Sequence, residues 1–205
     1  MSFWSNLFKF VFMNQPVERL FPEIPKEVSV KSNPTVPWIE LLKPYIGLNE
    51  VQNNKELSKY LKSDGGTVGD PAKYAWCGDL VHTAIRNALP NEKFTSILKE
   101  NPYWARNWST FGIKAPYYCY GMIAVFKRGT GGHVGFVVGY DPVNKLFKVL
   151  GGNQSNEISY TFIDSRTVSE GGRLMSLRYP ASYALPQKAN LPIVKAGSEV
   201  STNES

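Results

Sequence analysis

The side chains of this sequence best suited to covalent chemistry are two cysteines, Cys77 and Cys119, and two histidines, His82 and His133. A thiol is a useful nucleophile only as thiolate, and a helix N-terminus favours that form because its unpaired N–H groups and its dipole attract negative charge. Cys77 occupies such a position: from it onward Leu80, Val81, Ala84, Ile85, Ala88 and Leu89 follow the helical period until Pro90 stops the helix. The same N–H groups suit the oxyanion of a tetrahedral intermediate. Simple burial is the plainer reading of an isolated cysteine, so its partners decide the matter.

A nucleophilic thiol needs a base. His82 lies further along the same helix, about 140° round and ~7.5 Å up the axis, so its ring points away from the sulfur and it reads as a packed or surface histidine. His133 opens the run HVGFVVGY directly after Gly131-Gly132, which puts an imidazole at the mouth of a strand. Its small neighbours would let a substrate backbone approach. A third group must accept the other ring N–H, and an amide oxygen serves as well as a carboxylate. The next strand ends in LGGNQSN, and a hairpin there returns Asn153 beside the ring, with Gln154 as second choice. The competing reading makes Gly151-Gly152-Asn153 merely a turn.

The elements that must hold these groups are legible in the pattern. Trp38, Leu41, Leu42, Tyr45 and Ile46, then Leu57, Tyr60 and Leu61, have helical spacing and predict two short helices ahead of the Gly-rich turn SDGGTVGDP. After an aromatic loop containing Tyr103, Trp104, Trp108 and Phe111, strands are predicted at Met122 to Lys127, His133 to Tyr140, Lys145 to Leu150, Glu157 to Ile163 and Arg173 to Tyr179. Asp141-Pro142-Val143-Asn144 is a turn signal, so consecutive strands are expected to be antiparallel neighbours. Helices first and a meandering sheet second is the α+β class.

The chain has 205 residues, 42% of them hydrophobic, which suffices for one domain with a real core. Two cysteines are too few for a disulfide scaffold, and with two histidines they leave almost nothing for a metal cluster, so no metal and no cofactor is expected. The net charge of +6 favours an anionic partner. Its scatter, without long runs of one sign, argues against nucleic acid.

Three regions follow. Residues 1–34 hold an amphipathic helix, with Phe3, Trp4, Leu7, Phe8, Val11 and Phe12 on one stripe, and then a connector broken by prolines. The stripe within residues 1–13 suits docking on the parent domain, a membrane surface or a partner protein. Residues 35–187 form the expected catalytic body, and 188–205 a polar, flexible tail with a brief Leu-Pro-Ile-Val.

Four motifs in register resemble a bacterial and bacteriophage subgroup of the papain-like cysteine peptidoglycan hydrolases of the CHAP and NlpC type. They are Pro37-Trp38, Trp76-Cys77, Gly132-His133-Val134-Gly135 and Gly151-Gly152-Asn153-Gln154, with Ile46-Gly47 and Glu50 between the first two, and the resemblance spans roughly residues 36–163. It implies a papain-like fold with the nucleophile at a helix N-terminus packed on an antiparallel sheet. It also implies metal-free hydrolysis of amide bonds in the peptide part of peptidoglycan, as endopeptidase or amidase, with Cys77 as nucleophile, His133 as base and Asn153 as orienting group. Two departures stand out: relatives start the strand before the histidine with Gly-Asp where this chain has Gly121-Met122, and CHAP members often carry Gln where it has Trp76. The second affects which side chain completes the oxyanion hole. Trp76, Gly132, Gln154 and Trp104 are the candidate substrate-binding residues.

Work on peptidoglycan requires arrival outside the cytoplasmic membrane, and no export signal is visible. A phage lysin, a virion-associated lysin or an antibacterial amidase toxin delivered by a secretion system would meet both conditions, and a non-catalytic wall-binding or virion structural module of the same fold is the alternative.

Overall fold

The computed structural model describes residues 34–197, so the predicted N-terminal helix, nearly all of the connector and the last residues of the tail lie outside the described part. The protein is α+β, with helices α1 (Pro37–Leu42), α2 (Asn54–Leu61), α3 (Cys77–Ala88) and α4 (Ser96–Glu100) preceding five strands. These are β1 (Met122–Arg128), β2 (Gly131–Asp141), β3 (Leu146–Gln154), β4 (Glu157–Asp164) and β5 (Leu174–Arg178). The aromatic loop contains a 3₁₀ segment, Ala105–Thr110.

The sheet is antiparallel throughout, in the order β4-β3-β2-β1-β5. The first four strands form a meander, as the turn signals predict. The Asp141 side chain builds one of these turns by accepting from the N–H groups of Val143 and Asn144, at 2.9 and 3.1 Å. β5 departs from the expected pairing of consecutive strands: it crosses the sheet to pair with β1, so β2 lies at the centre. That position accounts for the composition of HVGFVVGY, which is buried along its whole length and cannot alternate with polar residues.

Residues 188–197 also differ from the flexible tail expected of them. Leu191 is buried, the Tyr140 N–H donates to the Pro192 carbonyl, and the Val194 N–H donates back to Tyr140, both at 2.9 Å. The Leu-Pro-Ile-Val segment therefore supplies hydrogen bonds to β2 at Tyr140, beyond the last residue that pairs with β1. The N–H of Ala196 reaches the Asp141 carboxylate and, with Asn144, pulls its pKa down to about 2.

Helix α3 is the element that matters most for the site. One stripe of it, Leu80, Val81, Ala84 and Ile85, is buried in the common core. The first turn lies so close to β3 that a Cβ on Gly152 would stand 2.3 Å from Trp76 Cζ3 and 2.9 Å from Leu80 Cδ2. The indole N–H of Trp76 is satisfied by Glu50 Oε2 at 2.8 Å. Glu50 is held there because the Gly47 and Glu50 N–H groups donate to Ile158 and Asn156, pinning this segment against the β3–β4 hairpin. The same device anchors α1, where Trp38 Nε1 donates to the Gly121 carbonyl at 2.9 Å.

Gly152→Ala forces a methyl group into a buried indole with no room to retreat. It is expected to lower unfolding stability by about 1–3 kcal/mol, read from denaturant midpoints.

Candidate active site

The three candidate catalytic residues come from three elements: Cys77 from the first turn of α3, His133 from β2, and Asn153 from the end of β3. The backbone N–H of Val134 lies near enough to the Cys77 sulfur to favour its anion, so the thiol sits beside the peptide unit that follows His133. Cys77 is 3% exposed and His133 fully buried. Burial raises the thiol pKa, and it outweighs the N–H groups of Val134, Gly78 and Cys77 and the charge of Arg128, which all lower it. In this closed arrangement the resting sulfur is a thiol already surrounded by donors suited to its anion.

His133 Nε2 lies 3.1 Å from Gln154 Oε1. The orientation of that amide follows from its other end, where Gln154 Nε2 donates to the Ser159 carbonyl at 2.6 Å and, at 3.5 Å, faces that of Val149. Carbonyls can only accept, so the amide oxygen must face the ring, and His133 Nε2 must carry a proton to donate to it. The acceptor nitrogen of the neutral ring is then Nδ1.

The amide on the ring is thus Gln154 and not Asn153. Continuing the β2–β3 register from Phe136↔Leu150 would set Asn153 opposite His133. The ladder is interrupted instead: the β3–β4 register shifts between Gly151 and Gln154, and Asn153 takes a left-handed φ of 58°. This bulge turns the chain by one residue and delivers the following side chain to the ring. Gly151 makes the room, since a Cβ there would lie 2.9 Å from Gln154 Oε1 and 3.3 Å from His133 Nε2.

The candidate substrate-binding residues divide differently from expectation. Trp76 is fully buried between Glu50 and Gly152, so it packs the helix and faces no groove. Gln154 is buried as the partner of the ring. The space beside Gly132 is taken by Arg106, whose Cγ would stand 3.1 Å from a Cβ at this position, and so is not open to a substrate backbone. Arg106 is held there by its Nε, which donates to the Gly131 carbonyl at 2.8 Å. Trp104, 47% exposed, is the one of the four with an open face. Its loop crosses the start of α3, where the carbonyls of Tyr103 and Pro102 would lie 2.4 and 2.8 Å from a Cβ on Gly78.

His82 faces elsewhere: its Nδ1 pairs with Asp64 Oδ2 at 2.6 Å, and its ring packs on Phe94. Burial raises the Asp64 pKa, but the bonds from His82 and the Gly66 N–H overcome this, and the net shift is downward. Cys119 is buried and free, its thiol pushed up to about 12 by desolvation. Among the described residues no three His, Cys, Asp or Glu side chains converge as a metal-ligand set. No protein-family model matches this sequence, and no curated protein matches it.

Asp79, in the first turn of α3, is a polar group that the sequence reading passed over. It is fully buried and accepts from the Val68 N–H and the Thr67 hydroxyl, at 2.9 and 3.1 Å, tying the Gly-rich turn to the helix. Burial raises its pKa to about 6 despite those bonds. A carboxyl raised in the folded state contributes its full stability below about pH 4 and loses it as pH rises through about 6. Asp79→Asn should therefore match the parent near pH 4 and exceed it at pH 8 by on the order of 2–3 kcal/mol, measured by urea unfolding across that range.

Proposed function

We propose that this chain is a papain-like cysteine hydrolase of the CHAP and NlpC type that cuts amide bonds in the peptide part of bacterial peptidoglycan. One observation carries the reading: the Cys77 sulfur lies beside the N–H of the peptide adjoining His133, while Gln154 holds that residue's imidazole in a defined tautomer. A sulfur with donors, a base whose acceptor nitrogen is specified, and a neutral amide behind the base are what acyl transfer through a thioester requires. Three of the four sequence motifs add to it, since Trp76-Cys77, Gly132-His133-Val134-Gly135 and Gly151-Gly152-Asn153-Gln154 supply these contacts, whereas Pro37-Trp38 anchors α1 at Gly121.

In this reading the resting thiol gives its proton to His133 Nδ1 as the sulfur attacks the amide carbonyl carbon. The carbonyl π pair moves to oxygen, and N–H groups at the start of α3 stabilise the oxyanion. The imidazolium then protonates the leaving nitrogen, the C–N bond breaks, and a thioester remains on Cys77. Water, deprotonated by His133, attacks the thioester carbonyl. The second tetrahedral intermediate collapses to a carboxylic acid and the regenerated thiol. Gln154 Oε1 steadies the ring by accepting its Nε2–H throughout. A phage lysin or virion-borne lysin is the setting we favour, because either meets the wall outside the cytoplasmic membrane.

The burial of both Cys77 and His133 favours a second reading, a non-catalytic wall-binding or virion module of the same fold. Binding to wall material without release of amines would select it.

Digestion of purified peptidoglycan, followed by quantification of newly freed amines, tests the proposal. Cys77→Ala and His133→Ala should abolish release, and His82→Ala should retain it. Undiminished cleavage by Cys77→Ala would refute the assignment of the nucleophile. Gln154→Ala should lower kcat by about 10²-fold or more, in the range ascribed to a positioned general base. Asn153→Gly, which keeps the left-handed backbone and removes the side chain, should leave most of the activity.

A further inference from the structure

Arg128 ends β1 and faces the site, and the mechanism above gives it no contact with substrate. In the β1–β2 hairpin Phe126 pairs with His133, Lys127 with Gly132 and Arg128 with Gly131. Alternate residues of a strand share a face, and cross-strand partners share it too. Arg128, Phe126 and His133 therefore project from one side of the sheet, and the rings of Phe126 and His133 lie nearly parallel with centroids 6.4 Å apart. Cys77 approaches the same place, since its sulfur meets the Val134 N–H and feels the Arg128 charge.

The guanidinium is incompletely matched. Its Nη1 is buried and has no hydrogen-bond partner among the described residues, and no carboxylate of those residues forms an ion pair with it. Leaving a buried cationic donor without an acceptor is costly, and proteins ordinarily avoid it. Arg106, from the 3₁₀ segment that packs on this hairpin, hydrogen-bonds neutral carbonyls of it, those of Gly131 and Gly129. Two guanidinium groups, Arg128 of the hairpin and Arg106 of the neighbouring 3₁₀ segment, thus lie at this hairpin without an ion pair to any carboxylate among the described residues.

We infer that Arg128 is a specificity-determining residue that binds a free carboxylate of the substrate beside the scissile amide. This rests on the hydrolase reading above and narrows it. A planar guanidinium matches a carboxylate in a two-pronged bond, which fixes orientation as well as supplying energy. Amides within or between peptide stems have free carboxylates close by. The amide that joins the stem to the sugar's lactyl group has none on either of the residues it links. Arg128 therefore selects peptide amides over that linkage and makes the protein an endopeptidase and not a sugar-peptide amidase.

The decisive comparison uses one crosslinked muropeptide with its carboxyl groups free and the same muropeptide with them converted to carboxamides. For the parent protein, kcat/KM should fall by about 10–100-fold on amidation, the worth of one charge-assisted bond. Arg128→Gln should lower kcat/KM on the amidated substrate only by what its charge contributes to the Cys77 anion, and on the free acid by that loss and the further factor of carboxylate binding. Arg128→Lys, which keeps the charge, should recover part of the discrimination. Equal losses on both substrates, or no preference in the parent, would overturn the assignment. If the parent cleaves neither, the hydrolase reading fails, and calorimetric binding of the two muropeptides to the full chain then tests the carboxylate anchor alone. Tighter binding of the free acid that vanishes in Arg128→Gln supports the anchor, and equal binding with or without Arg128 overturns it.

Discussion

The approach of helix α3 to the backbone of β3 at Gly152 is the constraint on which the rest depends. Trp76 and Leu80 occupy the volume that a side chain there would need, and this sets how deeply the first turn of the helix sits against the sheet. Cys77 follows Trp76 directly, so the seat of the indole is also the seat of the sulfur. Glu50 completes the arrangement by accepting the indole N–H, and it is brought into range by backbone bonds from its own segment to the β3–β4 hairpin. The conversion of a sequence-local pair, Trp-Cys, into a site is thus achieved by close packing, where a shift of a fraction of an ångström is resisted on every side.

Around that seat the polar groups form a relay that runs across the sheet. The sulfur lies beside the Val134 N–H on β2, the ring of His133 meets Gln154 on β3, and Gln154 donates to Ser159 on β4. Each link removes a freedom from the next: the Ser159 carbonyl selects the amide orientation, and the amide selects the tautomer of the imidazole. Desolvation keeps the thiol protonated at rest, while the surrounding N–H groups and Arg128 lower the cost of its anion. On the proposed reading the site holds its charge separation in reserve until a substrate arrives. Asp79, two residues beyond the cysteine, adds a second buried ionisable group to the same helix turn, and its task is to fasten the Gly-rich turn at Thr67 and Val68.

Much of this was visible in the order of residues. The helical stripe from Leu80 to Ile85 and the Pro90 stop delimit α3 to within a residue or two, and each of the five strands overlaps the apolar run and turn residues that predict it, although β3 runs four residues past Leu150 and α4 lies where no helix is predicted. The position of Cys77 at a helix start, and of His133 on the following sheet, came from the same local signals. The substrate-binding candidates fared differently, because exposure is not a local property. Trp76 and Trp104 are the same residue type in similar surroundings, yet one is sealed against Gly152 and the other stands open at the start of α3.

By itself the sequence determined the α+β class, the places of α1 to α3 and of the five strands, and the residue types available for chemistry, because these follow from periodicity, turn chemistry and composition over short spans. Only the tertiary structure decided which amide reaches the imidazole, since the left-handed residue Asn153 and the bulge around it shift the side-chain alternation that a straight strand would obey. It likewise decided that β5 crosses to β1 and that the Leu-Pro-Ile-Val segment docks on β2, because both depend on which strand still offers unpaired N–H and carbonyl groups once the meander is made.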